Sequence, residues 1–232
     1  RFSSPEGIAV DASGTVYVAD TNNQALSKIV PNGSDILVST LAGSVPSCGS
    51  GEAPCGASSL VVAADGTIYA TTGSQISAIT SAGDASILAG DGYQGCVDGA
   101  GTAARFWAPE GMAIAPDGSI LVADWFVSKV RKITSAGDVS TFVDAGCGST
   151  SFVAYPGGVA VGADGAVYVS SIGDNIILKV VNGVPEVLAG SGTAGSADGT
   201  GTEASFSAPR DIVIGSDGDL YIADSLNARI RK

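Results

Sequence analysis

Apolar residues recur along this chain in short alternating runs, separated by turns that contain Gly, Asp or Asn. Gly7-Ile8-Ala9-Val10, Val16-Tyr17-Val18-Ala19 and Ala25-Leu26-Ser27-Lys28-Ile29 open the series. Alternation with a period of two, in β-branched and aromatic residues, predicts strands with one buried face. No segment sustains an apolar spacing of 3.6 residues, so helix is expected to be near nil.

The runs repeat as a unit. A turn glycine followed three residues later by Tyr or Leu falls at Gly14/Tyr17, Gly66/Tyr69, Gly118/Leu121, Gly165/Tyr168 and Gly218/Tyr221, at intervals of 52, 52, 47 and 53 residues. Each copy reads as four strands. In the turn between the first two, as in Asp117-Gly118 or Asp164-Gly165, Gly accepts φ > 0 and Asp bonds its own backbone. The third strand, as in Lys129-Val130-Arg131-Lys132-Ile133, alternates apolar and charged residues like a strand with one wet face. Four antiparallel strands recurring about every 50 residues predict an all-β fold, a β-propeller of four-stranded antiparallel blades. Five blades are recognisable, at about residues 1–43, 44–90, 91–147, 148–190 and 191–232.

Arg1-Phe2-Ser3-Ser4-Pro5 aligns with Arg105-Phe106-Trp107-Ala108-Pro109, and Arg231-Lys232 stops in a third strand. The expectation is a segment of a longer protein, with its last blade incomplete, compatible with a six-bladed propeller.

Phe2-Ser3-Ser4-Pro5-Glu6-Gly7-Ile8-Ala9-Val10-Asp11, Val16-Tyr17-Val18-Ala19-Asp20-Thr21-Asn22-Asn23 and Ala228-Arg229-Ile230-Arg231-Lys232 resemble NHL repeats. The resemblance covers nearly the whole chain and is most specific in copies one, three and five. Copies two and four carry Thr72 and Ser171 where the others end their second strand in Asp, and copy two lacks the Pro-x-Gly opening. Membership of that family implies a binding face formed by the loops that join second to third strands and one blade to the next.

Composition narrows the function. The net charge is −12, with 11 basic against 23 acidic residues, which disfavours a nucleic acid partner. Lys28, Lys129, Arg131, Lys132, Lys179, Arg229, Arg231 and Lys232 fall in third strands and are expected to be spread over a solvated face. Histidine is absent, which removes the commonest general base and zinc ligand, so Ser-His-Asp and Cys-His sets cannot form from these residues. Direct membrane insertion is not expected, since no apolar run reaches the roughly 18 to 20 residues a spanning helix needs.

Cys48, Cys55, Cys96 and Cys147 all lie in connections between blades. Of three possible pairings, Cys48 with Cys55 and Cys96 with Cys147 is favoured, one closing a short loop and the other joining neighbouring blades. A metal site is the alternative, without the usual Cys-x-x-Cys spacing. Disulfides imply an oxidising compartment, and Asn32-Gly33-Ser34 is an N-glycosylation sequon on a hairpin turn.

Asp20, Asp124 and Asp224 occupy matching strand ends and are expected to cap the amides of the turn that follows. The segments Asp98-Gly99-Ala100-Gly101-Thr102 and Asp198-Gly199-Thr200-Gly201-Thr202 resemble calcium loops but lack the later carboxylates that a hard cation needs. No metal or other cofactor is expected. Trp107 stands where copies one and five carry Ser3 and Ser207, and Trp125-Phe126 where they carry Thr21-Asn22 and Ser225-Leu226. With Tyr93 in the preceding connection, and Asp124 and Glu110 nearby, they form a candidate partner site on blade three. The alternative is that these rings pack on one another beneath the loops.

The expected function is a non-catalytic binding or assembly module, extracellular or on the cell surface. Its partner would be a protein or glycan, with self-assembly or other domains of the same polypeptide as further partners. The runner-up is a propeller lyase or hydrolase using acidic residues and calcium in a central channel.

Overall fold

The computed structural model describes residues 1–33, 35–43, 57–144, 154–181 and 183–232. The first sheet is β1 (Pro5–Val10), β2 (Val16–Asp20), β3 (Ala25–Asn32) and β4 (Asp35–Gly43). The second is β5 (Ala57–Val62), β6 (Ile68–Thr72), β7 (Gln75–Ile79) and β8 (Ala85–Ala89). A two-residue strand, β9 (Gly99–Ala100), precedes the third: β10 (Pro109–Ile114), β11 (Ile120–Asp124), β12 (Lys129–Ile133) and β13 (Asp138–Asp144). The fourth is β14 (Pro156–Val161), β15 (Val167–Ser171), β16 (Ile176–Val181) and β17 (Val184–Ala189), and the fifth is β18 (Pro209–Ile214), β19 (Leu220–Asp224) and β20 (Arg229–Arg231). In the first, second, fourth and fifth sheets neighbouring strands follow one another in chain order, whereas in the third β9 joins the edge beyond β13, giving the order β10-β11-β12-β13-β9. The fold class is the predicted β-propeller, and helix among the described residues is limited to single 3-10 turns.

The chain divides into two compact units, Arg1–Pro109 with Ala136–Val139, and Glu110–Ser135 with Ser140–Lys232. In the first, Tyr17, Ala19 and Leu26 of blade one pack on Leu60, Ile68, Ala70 and Ile79 of blade two. In the same unit, β9 pairs with Asp138 and Val139. In the second, Leu121, Ala123 and Val130 of blade three meet Val159, Val169 and Leu178 of blade four. Ala160 and Ile177 of blade four then meet Ile212 and Ile222 of blade five, with Phe206 beside them. Burying each of the Val, Leu, Ile and Phe side chains stabilises the stack by roughly 1.5 to 3 kcal/mol.

The glycine of the Pro-Glu-Gly opening has a steric cause. A Cβ on Gly111 would lie 2.6 Å from the Gly157 carbonyl oxygen and 2.7 Å from Gly158 Cα. First strands of adjacent blades therefore approach more closely than any other residue allows.

Candidate functional site

Blades one, three and five turn from second to third strand through the 3-10 segments Thr21–Asn23, Trp125–Val127 and Ser225–Asn227, each followed by a left-handed residue, Gln24, Ser128 or Ala228. The expectation that Asp20, Asp124 and Asp224 cap these turns is corrected, because none makes a side-chain cap to its turn. Two of them face the chain entering the blade instead. Asp20 accepts from the Ser3 amide at 2.7 Å and from Asn23 Nδ2 at 2.7 Å. Asp224 accepts from the Ser207 amide at 2.7 Å and from Asn227 Nδ2 at 2.8 Å. A carboxylate at a strand end lies within reach of both segments, and here the extended backbone ahead of the first strand has the amide to satisfy.

Blade four reaches the same result with its residues exchanged. Asp174, three positions after Ser171, accepts from the Ala154 amide at 2.9 Å, and the Ser171 hydroxyl lies 2.7 Å from its Oδ2. Asp-x-x-Asn has become Ser-x-x-Asp around one preserved amide contact.

Asp124 is fully buried, and its Oδ2 lies 3.1 Å from Nη1 of Arg131, itself fully buried. Asp124 therefore holds an internal pair beneath the surface on which the partner site was expected. The third-strand cations are likewise not all solvated: Lys129, also buried, pairs with Asp144 at 3.2 Å, and Arg231 with Asp224 at 3.1 Å. The reason is that Val122 faces Arg131 and Ile222 faces Arg231 in register, so a long cation at that position points toward the acid ending the preceding strand.

The candidate aromatics divide between the two units. In the first, Trp107 is 41% and Tyr93 58% exposed. The Arg105 guanidinium lies 5.7 Å from the centre of the Tyr93 ring and ion-pairs with Asp91 at 2.7 Å. Burial pushes the Asp91 carboxyl upward, but the Tyr93 amide and Arg105 outweigh it and hold it below the usual range. In the second unit, Trp125 is half-buried and Phe126 is 46% exposed. Their ring centres are 4.4 Å apart, tilted by 39°. Tyr155, 44% exposed, meets Trp125 edge-on at 5.9 Å. Tyr155 was absent from the sequence expectation, although the comparison that isolated Trp107 applies to it: it occupies the place before the first-strand proline held by Ser4, Ala108 and Ala208.

Cys96 is disulfide-bonded, whereas Cys48, Cys55 and Cys147 lie outside the described residues, and the pairing with them. The sequon also lies outside, since Ser34 and the side chain of Asn32 are not described. Of the two calcium-like segments, Gly99 and Ala100 form β9, and Asp198 ion-pairs with Arg231 at 2.6 Å. Among the described residues no group of three His, Cys, Asp or Glu is arranged to hold a metal ion.

The family model for the NHL repeat matches residues 2–29 and 206–232. Teneurin-m of Drosophila melanogaster is 32% identical over 61% of this chain and 6% of its own length. Protein SUPPRESSOR OF QUENCHING 1, chloroplastic, of Arabidopsis thaliana is 27% identical over 99% of this chain and 25% of its own length. The chain thus spans a quarter or less of these curated relatives. Among solved structures, a streptogramin B lyase has a TM-score of 0.66 at 18% identity, over 98% of this chain and 64% of that one. A virginiamycin B lyase from Staphylococcus aureus has a TM-score of 0.63 at 16% identity, over 98% and 68%. A gluconolactonase from Xanthomonas campestris has a TM-score of 0.65 at 17% identity, over 96% and 70%. At these identities the likeness establishes fold alone.

Proposed function

From a chain that carries NHL repeats and folds as propeller blades, we propose a non-catalytic binding or assembly module, displayed outside the cell, that presents the loops around blade three to a protein or glycan. The observation that carries this reading is the exposure of Trp107 and Phe126 where blades one and five place Ser3 or Ser207 and Asn22 or Leu226. Large rings on exposed loops are the usual anchors of protein and sugar contacts.

The fold of the lyase and gluconolactonase neighbours supports the alternative, an enzyme using acidic residues and calcium, only at the level of architecture. A histidine-to-alanine form of the virginiamycin B lyase is catalytically inactive, and the present chain has no histidine. The disulfide at Cys96 favours an oxidising compartment. The curated relatives name no common compartment, since one of them is chloroplastic.

The test compares the wild-type chain with Trp107→Ala and Trp125→Ala on glycan and peptide arrays and in thermal melts. Association weakened by about 2 kcal/mol or more, with stability little changed, supports the reading. Intact association with a stability loss of roughly 3 to 5 kcal/mol makes the two residues loop core and rejects the site. A turnover activity that needs calcium and disappears on chelation would establish the enzyme instead.

A further inference from the structure

The hairpin joining third and fourth strands is longer in blade one than in blades two and four. Ile29, Ile79 and Val180 each face the residue that opens their second strand, Val16, Ile68 or Val167. Beyond that level β7 and β8 make no further pair, and β16 and β17 make only Val181 with Val184. By contrast, β3 and β4 continue past the end of β2 through Val30 with Leu37, Pro31 with Ile36 and Asn32 with Asp35.

This extension is a two-stranded ribbon whose edges differ. On one edge β3 carries Pro31, which has no amide proton for another strand to bond. On the other, β4 is the last strand of its sheet, and from Asp35 to Thr40 it holds no proline and one charge, Asp35. Ile36, Leu37 and Val38 are 70%, 56% and 51% exposed, and successive residues of a strand point to opposite faces, so apolar surface lies on both sides of the ribbon. The fourth strands of blades two, three and four each have a feature that turns a further strand away. β8 has five residues against nine in β4, β13 is covered by β9, and β17 contains Pro185 and Glu186. Only β4 is long, uncovered among the described residues and nearly uncharged.

We infer that β4 pairs with β4 of a second copy of this chain, antiparallel about a two-fold axis at Leu37, in a contact that does not involve the loops of blade three. That register sets Ile36 against Val38 and Asp35 against Ser39, so apolar side chains meet across the strands and the two carboxylates do not face each other. A basic segment would find only Asp35 to pair with along this edge, whereas a copy of the strand matches it residue by residue. The net charge of −12 on each copy opposes the approach, so added salt strengthens the pairing.

The test is sedimentation equilibrium of the whole chain from about 1 to 500 μM, at low and at high sodium chloride. A monomer–dimer equilibrium is expected, with more dimer in high salt. Ile36→Lys puts a charge on the exposed edge and should raise the dimer Kd about tenfold or more, with the melting temperature of the dilute protein unchanged. Leu37→Cys should form a covalent dimer on mild oxidation, because the axis brings the two copies of that residue side by side, and Thr40→Cys should not. A chain that stays monomeric throughout overturns the inference. So does a dimer that dissociates in high salt, one that Ile36→Lys leaves intact, or one cross-linked through Thr40→Cys and not through Leu37→Cys. A monomer whose β4 amides become protected from exchange by an added peptide of alternating Val and Thr assigns the edge to a foreign strand, and overturns the second copy as well.

Discussion

At the corner where the second strand meets the third, blade three buries Asp124 and Arg131, with Oδ2 and Nη1 3.1 Å apart and both side chains fully enclosed. Blade two places Thr72 and Ser77 at the same registers, hydroxyl to hydroxyl at 3.0 Å, also buried. Blade two also makes the turn in two residues, Gly73 and Ser74, where blade three uses the four from Trp125 to Ser128. One sheet geometry therefore accepts an ion pair or a neutral pair. At these two registers each side chain meets a polar counterpart, and a buried charge there serves only if its opposite is supplied with it.

That contrast is broken most severely by removing one partner. Arg131→Ser leaves Asp124 buried without its counter-ion and is expected to cost roughly 3 to 5 kcal/mol in urea unfolding. Asp124→Thr combined with Arg131→Ser reproduces the blade-two pair and should recover a large part of that loss. If the double variant unfolds as readily as the single one, the two corners are not equivalent.

The next effect in size concerns blade four. Asp174→Ala removes the acceptor of the Ala154 amide and of the Ser171 hydroxyl, which should cost about 1 to 3 kcal/mol. Ser171→Asp with Asp174→Asn restores the order found in blades one and five, and its urea midpoint should lie close to wild type.

Strand alternation and the turn glycines were enough to read the blades from sequence, because both are local requirements of a twisted hairpin. The carboxylate contacts were not legible. Asp20 has the amides of its own turn and that of Ser3 within reach, and only the path of the chain ahead of β1 decides between them. The burial of Arg131 was masked by its strand, where alternating charge reads as a wet face and the acid that draws it inward stands seven residues earlier. Ser171-x-x-Asp174 can be matched to Asp20-x-x-Asn23 once the turn is aligned, but an alignment confined to strands records it as a loss. Tyr155 departs from Ser4, Ala108 and Ala208 as Trp107 departs from Ser3 and Ser207, but it lies at the entry to blade four, whereas the other aromatic departures fall in blade three.

The smallest expected effect sharpens the same comparison at the first hairpin turns. In blade three, Asp117 pairs with Lys132 at 2.7 Å and accepts from the Ser119 amide at 3.0 Å, and these contacts, Lys132 foremost, hold its carboxyl well below the usual range. In blade two, Asp65 accepts from the Thr67 amide at 2.9 Å, and that bond foremost lowers its carboxyl too. Asp11 and Asp217, in blades one and five, are lowered to about 2, chiefly by the Ser13 hydroxyl and by the Asp219 amide. A carboxyl depressed in the folded state contributes stability that is complete above its unfolded pKa, near 3.8, and is lost as pH falls through the folded value. The melting temperature should therefore hold on the neutral side of pH 4 and decline steadily toward pH 2. These groups lie at the surface, so the decline should be shallower in high salt. Asp117→Asn should flatten the decline more than Asp65→Asn, because blade three adds a lysine to what blade two achieves with backbone and hydroxyl. Equal slopes for the two variants would mean that the Lys132 contact contributes nothing in solution.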